Sequence, residues 1–108
     1  MSKPLVFYVE FDVKAGSVER FVEEATKVLE AMSHEDTFID TYFHRNVNEP
    51  NKFTLYERWN EPSMDAFVKN QLEVKQYRAE YEKILPEMLA SPRTFAVLEP
   101  IGEWKKGA

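Results

Sequence analysis

Leu5-Val6-Phe7-Tyr8-Val9-Glu10-Phe11-Asp12-Val13 carries an apolar side chain at every odd position, with Val6, Tyr8, Glu10 and Asp12 between them. Side chains of a strand alternate between its two faces, so this stretch predicts a strand with one strongly apolar face. Ala15-Gly16-Ser17 interrupts it, and Ser17 can cap the helix predicted next, in which Val18, Phe21, Val22, Ala25, Val28, Leu29 and Met32 recur at helical spacing. Phe38, Ile39, Tyr42 and Phe43 favour a strand from Thr37 to Val47, as the residues from Phe53 to Trp59 favour another, and Asn48-Glu49-Pro50-Asn51 between them supplies the turn of a hairpin. A second helix is predicted to start near Asn60 and Pro62 and to carry Met64, Phe67, Val68, Leu72, Tyr77, Tyr81, Ile84 and Leu85. Its period slips near Glu73, where a bend or break is expected, and it should stop or kink before Pro86, leaving Glu87 to Ala90 as a last turn. A final strand runs from about Thr94 to Glu99. The order βαββαβ predicts a ferredoxin-like α+β fold, a four-stranded antiparallel sheet with both helices on one face.

Composition narrows the function. The chain has 108 residues, enough for one domain with one core. Apolar residues make up 44% and charged residues 31%, too apolar a balance for a disordered chain. No apolar run is long enough for a membrane span and no signal-peptide core follows the first residues, so a cytoplasmic protein without a membrane partner is expected. A net charge of −5 and the lack of a basic stripe argue against nucleic acid. With no cysteine and only two histidines, a protein-held metal is not expected either. Aromatic residues, at 14%, exceed what a small core requires and suit a pocket or a partner face.

Neither face of the sheet reads as polar. Val6 and Tyr8 alternate with Leu5, Phe7, Val9 and Phe11 in the first strand, and Phe95 and Val97 alternate with Ala96 and Leu98 in the last. A sheet wet on one side alternates cleanly. A homodimer through the helix-free face is therefore expected, the other reading being that Phe and Tyr only shield an edge.

Within this frame, Pro50-x-x-Phe53-x-Leu55-Tyr56-Glu57-x-Trp59, preceded by Thr37-Phe38 and His44, resembles the antibiotic biosynthesis monooxygenase domain family. Tyr77-Arg78-x-x-Tyr81-Glu82-x-x-Leu85-Pro86 looks like the second-helix pattern of one subgroup. The resemblance covers nearly the whole chain, taken as one domain over residues 1–108 with an ordered core from about Pro4 to Ile101. It implies a dimeric α/β barrel, two sheets closing face to face, with a cavity in each subunit between sheet and helices. It also implies monooxygenation of a quinol-, anthrone- or phenol-like aromatic molecule by O₂, without cofactor, or else a non-catalytic small-molecule-binding or stress-related homodimer of the same fold. Heme degraders of the family place an asparagine on the first strand and an iron-binding histidine on the second helix. Here no Asn precedes Asn46 and no His follows His44, which argues against heme.

The resemblance sets Trp59 where relatives carry a pocket tryptophan, although a core tryptophan ending a strand would look the same. If Val47 pairs with Lys52, Tyr42, His44, Glu57 and Trp59 share one face, whereas a one-residue slip brings Tyr56 and Arg58 there instead. Given the shared face, His44 has the ordinary pKa for removing a phenolic proton and Glu57 could orient its ring. His44 and Trp59 are thus the candidate catalytic residues. Their alternatives are an exposed strand histidine, and for Glu57 a surface pair with Arg58 or Arg45. Asn70, Tyr77, Arg78 and Tyr81 complete the candidate substrate-binding set, against the readings that the tyrosines are core packing and that Arg78 pairs with Glu82 one turn on. His34, beside Glu35 and Asp36, reads as structural. No residue pattern names a substrate.

Overall fold

The computed structural model of the protein describes residues 3–72 and 74–107. Its elements are β1 (Leu5–Val13), α1 (Val18–Met32), β2 (Phe38–Arg45), β3 (Lys52–Trp59), α2 (Met64–Phe67), α3 (Gln76–Met88) and β4 (Leu89–Leu98). A short 3-10 turn, Ala15–Ser17, leads into α1, and α2 runs on as a π-helical turn, Val68–Leu72. The strands form one antiparallel sheet in the order β2-β3-β1-β4, as βαββαβ requires. No helix among the described residues is long and apolar enough to cross a membrane.

The odd residues of β1 are buried as predicted, and with Phe53, Leu55 and Trp59 of β3 they meet Phe21, Ala25, Val28 and Met32 of α1. Phe21 sits at the centre of an aromatic cluster, 5.1 Å from Phe11 and Phe53 and 6.0 Å from Phe43 between ring centroids. Ring pairs at such distances add to what burial alone contributes.

Several boundaries differ from the sequence reading. The long second helix is two pieces, with α2 opened by Ser63, whose Oγ accepts from the Ala66 amide at 3.1 Å. The expected slip at Glu73 falls outside the described residues. Ser17 stands at the start of α1 but makes no capping bond with its side chain. Helix α3 passes through Pro86 to Met88 instead of stopping before it. A missing hydrogen bond near a helix end is offset there by Leu85 and Met88, both buried in the core on either side of the proline. No last turn to Ala90 forms. Strand β4 starts at Leu89 rather than Thr94, because two bulges let the chain pair with β1 on both sides of Pro92. An edge strand tolerates that proline, since its missing amide breaks no inner ladder.

The hairpin register is the consequential difference. The pairs are Arg45 with Phe53, His44 with Thr54, Phe43 with Leu55 and Tyr42 with Tyr56. Asn46 sets this register: its Oδ1 accepts from the amides of Asn48 and Glu49 at 2.9 and 3.1 Å, closing the turn one residue earlier than Val47 paired with Lys52 would. The register also turns Phe43 inward, where it stacks on Phe53 at 5.6 Å. A one-residue shift exchanges the faces of a strand. Tyr42 and His44 consequently lie on the helix-free face with Tyr56 and Arg58, while Glu57 and Trp59 lie under the helices.

Candidate functional site

Between the sheet and the helices lies a cavity walled by apolar side chains, among them Phe7, Val9, Val28, Met32 and Phe67, with Glu57, Arg78, Tyr81 and Arg93 as its polar lining. Its volume is about 30 Å³. A water needs roughly 10–15 Å³ on this measure, so the cavity takes only a few waters and no aromatic ring.

Glu57 comes from β3, a central strand, and is only 4% exposed. Trp59, two residues on and so on the same face, donates its Nε1–H to Glu57 Oε1 at 3.0 Å. Burial pushes the Glu57 carboxyl above its ordinary range, against the Trp59 bond and the charges of Arg78 and Arg93. The result is a carboxyl group inclined to hold a proton.

Arg78 enters from the first turn of α3 and is 6% exposed. Its guanidinium lies 5.4 Å from the Phe67 ring and 6.0 Å from that of Trp59. Two of its nitrogens, Nε and Nη2, have no hydrogen-bond partner among the described residues, and neither has Oε1 of Gln71 on the π-helical turn. Buried donors are rarely left unmet, and each costs about 1–3 kcal/mol when they are. A buried cation with free donors in an apolar room has the chemistry to hold a phenolate, enolate or carboxylate oxygen.

The candidate residues divide by face and by wall. Glu57, Arg78 and Tyr81 line the cavity, and burial raises the Tyr81 hydroxyl above its ordinary pKa. Trp59 is fully buried behind that wall, packed on Phe67 at 4.9 Å and edge-on against Phe38 at 5.2 Å, so it holds Glu57 instead of facing the room. The proposed face shared by Tyr42, His44, Glu57 and Trp59 does not form, for the register reason given above. Tyr42, 52% exposed, stands with His44 across the sheet from the cavity. Tyr77 donates its hydroxyl to Glu35 at 2.7 Å, and Asn70 donates to Glu61 at 3.1 Å, where Thr37 also donates at 2.7 Å. Those two contacts tie α3 and α2 to the loops and leave both side chains outside the cavity.

Two expected ion pairs are replaced by others. Glu57 does not pair with Arg58 or Arg45: Arg58 holds Asp40 through two bonds at 2.9 and 2.6 Å, and Arg45 donates to the Pro50 carbonyl at 2.8 Å. Arg78 does not pair with Glu82, because Glu82 grips Arg93 of β4 with both oxygens. His34 lies at the exposed end of α1, 3.6 Å from Glu30, consistent with a structural role. Arg93 and Phe95 line the cavity and were not foreseen. Their signal was the alternation of β4, in which Arg93 shares the inward parity of Phe95 and Val97, the partners of Val9 and Phe7, but the strand was expected to begin only at Thr94. Among the described residues no group of three or more His, Asp or Glu is placed to hold a metal.

The family profile described as antibiotic biosynthesis monooxygenase matches residues 4–80. No curated protein sequence matches the chain significantly. Similar solved structures include PA3566 from Pseudomonas aeruginosa, 16% identical at a TM-score of 0.80 over 94% of this chain and 98% of that one. Rv0793 from Mycobacterium tuberculosis is 16% identical at 0.80, covering 95% and 100% of the two chains. A structure named antibiotic biosynthesis monooxygenase is 11% identical at 0.78, covering 91% and 99%. At such identities the structures establish a common fold.

Proposed function

The chain belongs to the antibiotic biosynthesis monooxygenase family, and from that premise we propose that its cavity binds a planar, electron-rich aromatic molecule bearing an acidic hydroxyl or enol and oxygenates it with O₂. The observation that supports this reading is the buried Arg78 guanidinium, with two donors that meet no acceptor among the described residues, beside the buried Glu57 carboxyl in an apolar room. Arg78 stabilises the oxyanion form of the substrate, and Glu57 in its ionised form accepts the proton. Trp59 keeps the acceptor oriented through its indole N–H. The electron-rich anion then reduces O₂ itself, so the side chains need only bind, orient and exclude water. At an activated methylene the balance is CH₂ + O₂ → C=O + H₂O: carbon gives up four electrons, one oxygen atom enters the carbonyl and the other leaves as water with both hydrogens. His44, across the sheet, has no part in this scheme.

The helix-free face of this reading takes a second copy of the chain. Val6, Tyr8, Tyr56 and Leu98 give it an apolar middle, and Ile101 and Trp104 lie exposed beyond β4. Light scattering should give twice the chain mass at micromolar concentration, and a monomer mass would remove this part.

A second reading, a binding protein of the same fold without turnover, is favoured by the small closed volume. Oxygen uptake separates the two. With dithranol or a naphthoquinol as probe and a chelator present, wild type should consume O₂, and Arg78→Met and Glu57→Gln should each lose about 10²–10⁴-fold. Chelator-sensitive uptake, or full activity in Arg78→Met, would overturn the scheme. Tight binding of the probe without uptake would favour the binding protein.

A further inference from the structure

Arg93 and Phe95 belong to two spaces at once. They line the buried cavity, and they also line an outer groove of about 390 Å³ between the end of α3 and the start of β4, with Leu85, Pro86 and Leu89 on its floor. A room for only a few waters and a space able to admit an aromatic ring are therefore separated by one layer of side chains.

That layer is built from few bonds. Arg93 lies over the Phe95 ring at 5.1 Å and is held by both oxygens of Glu82. Phe95 in turn leans on Phe7 at 6.1 Å. The backbone beneath is irregular: pairing steps from Glu10 with Thr94 to Asp12 with Ser91, then from Val13 to Leu89, so β4 holds an extra residue at each step. Bulges disrupt the ladder and re-aim side chains, and this one lies on an edge strand with Pro92 unable to donate. The Glu82 and Arg93 side chains are 34% and 17% exposed, so their two-bond pair is partly open to water, which can compete for both partners. On the inner side the charge of Arg93 reaches Glu57 and Tyr81.

We propose that Glu82, Arg93 and Phe95 form the door through which a small aromatic ligand passes from the outer groove into the cavity, so that this trio decides the size and charge of what is admitted. The inference rests on the reading of the cavity as the ligand site. Breaking the Glu82–Arg93 bond frees the guanidinium to swing off Phe95, and the bulge lets β4 follow. Arg93 then presents a cation at the threshold, which favours a ligand whose hydroxyl is already partly ionised.

The test uses acrylamide, a small neutral quencher, and involves no oxygen chemistry, so it can fail while the proposed reaction stands. In a Trp104→Phe background the buried Trp59, bonded to Glu57, is the remaining tryptophan. Glu82→Gln and Arg93→Met should each raise the bimolecular quenching constant about two- to fivefold, the population change that losing one partly exposed ion pair produces. The exchanged pair Glu82→Arg with Arg93→Glu should restore slow quenching. Asp40→Asn, which breaks the Arg58 pair on the other face, should leave it unchanged. Unchanged quenching in both single variants, or an equal rise in Asp40→Asn, would overturn the door.

Discussion

Replacing Arg78 by methionine should stabilise the protein while disabling its site. Nε and Nη2 of Arg78 are buried without an acceptor among the described residues, and at about 1–3 kcal/mol for each donor that cavity water does not reach they cost the folded state up to about 2–6 kcal/mol. The contacts with the Phe67 and Trp59 rings return about 0.5–2 kcal/mol each. Methionine keeps an unbranched chain of similar reach, fills the room and carries no donor. The balance predicts a net gain of about 1–2 kcal/mol, seen as a rise in Tm of roughly 4–16 °C for a domain of this size. One opposing effect needs control, since Arg78 also supplies positive charge to the buried Glu57. Thermal unfolding by circular dichroism should therefore be measured for Arg78→Met alone, for Glu57→Gln alone and for both together, so that the coupling is isolated. If Arg78→Met lowers stability by more than about 1 kcal/mol in both backgrounds, its donors are satisfied in the ligand-free protein and the argument for a waiting oxyanion site fails.

Three further outcomes follow from individual contacts. Asp40 is held below its ordinary value of 3.8 by its bonds to Arg58, so its stabilisation is complete above that pH and lost as pH falls through the lower folded value; Asp40→Asn should flatten the acid limb of a Tm-against-pH curve. Glu57 has the opposite sign, because burial raises it above 4.5: wild type loses stability as pH rises from there through the folded value, and Glu57→Gln should abolish that decline. Tyr77 is pushed up to about 12 by burial and by its bond to Glu35, so ultraviolet titration of Tyr77→Phe should lack one high-pH phenol. The same variant should lose about 1 kcal/mol of stability and leave oxygen uptake unchanged.

The fold was legible because its signals are long. Nine residues with every odd one apolar in β1 and four turns of spacing in α1 determine which faces meet, and no local exception reverses them. Of the candidate residues, Glu57, Arg78 and Tyr81 line the cavity, while the face expected to join Tyr42 and His44 to Glu57 and Trp59 was misread. Whether Glu57 faces His44 or Phe43 depends on one residue of register, and that was settled by the Asn46 side chain taking two turn amides and by Phe43 stacking on Phe53. Neither is visible in hydrophobic periodicity, since Tyr42 and Phe43 are equally good strand residues on either face. The contribution of β4 was hidden for a related reason. Pro92 reads as a break in a linear pattern, yet on an edge strand the pairing runs past it through a bulge, and Arg93, of the same parity as Phe95, lines the cavity.

The cavity joins groups of unequal mobility, and this has a bearing on how it can admit a ring that its closed volume excludes. Glu57 sits on a strand paired on both sides, so the carboxyl proposed as proton acceptor is fixed in place before any ligand arrives. Arg78 and Gln71 flank the interruption between the π-helical turn and α3, and Arg93 sits at a double bulge of an edge strand. π-Helical turns and bulges carry fewer well-formed backbone bonds than the elements around them, so they open locally at lower cost. The buried donors of Arg78 meet no acceptor among the described residues, so on the proposed reading an oxyanion gains charge-assisted bonds with them when it binds. Opening and recognition therefore fall to the same mobile side, while the acid-base group stays with the rigid one. On the proposed reading, such a division lets the room expand around a ligand without moving the Glu57 carboxyl.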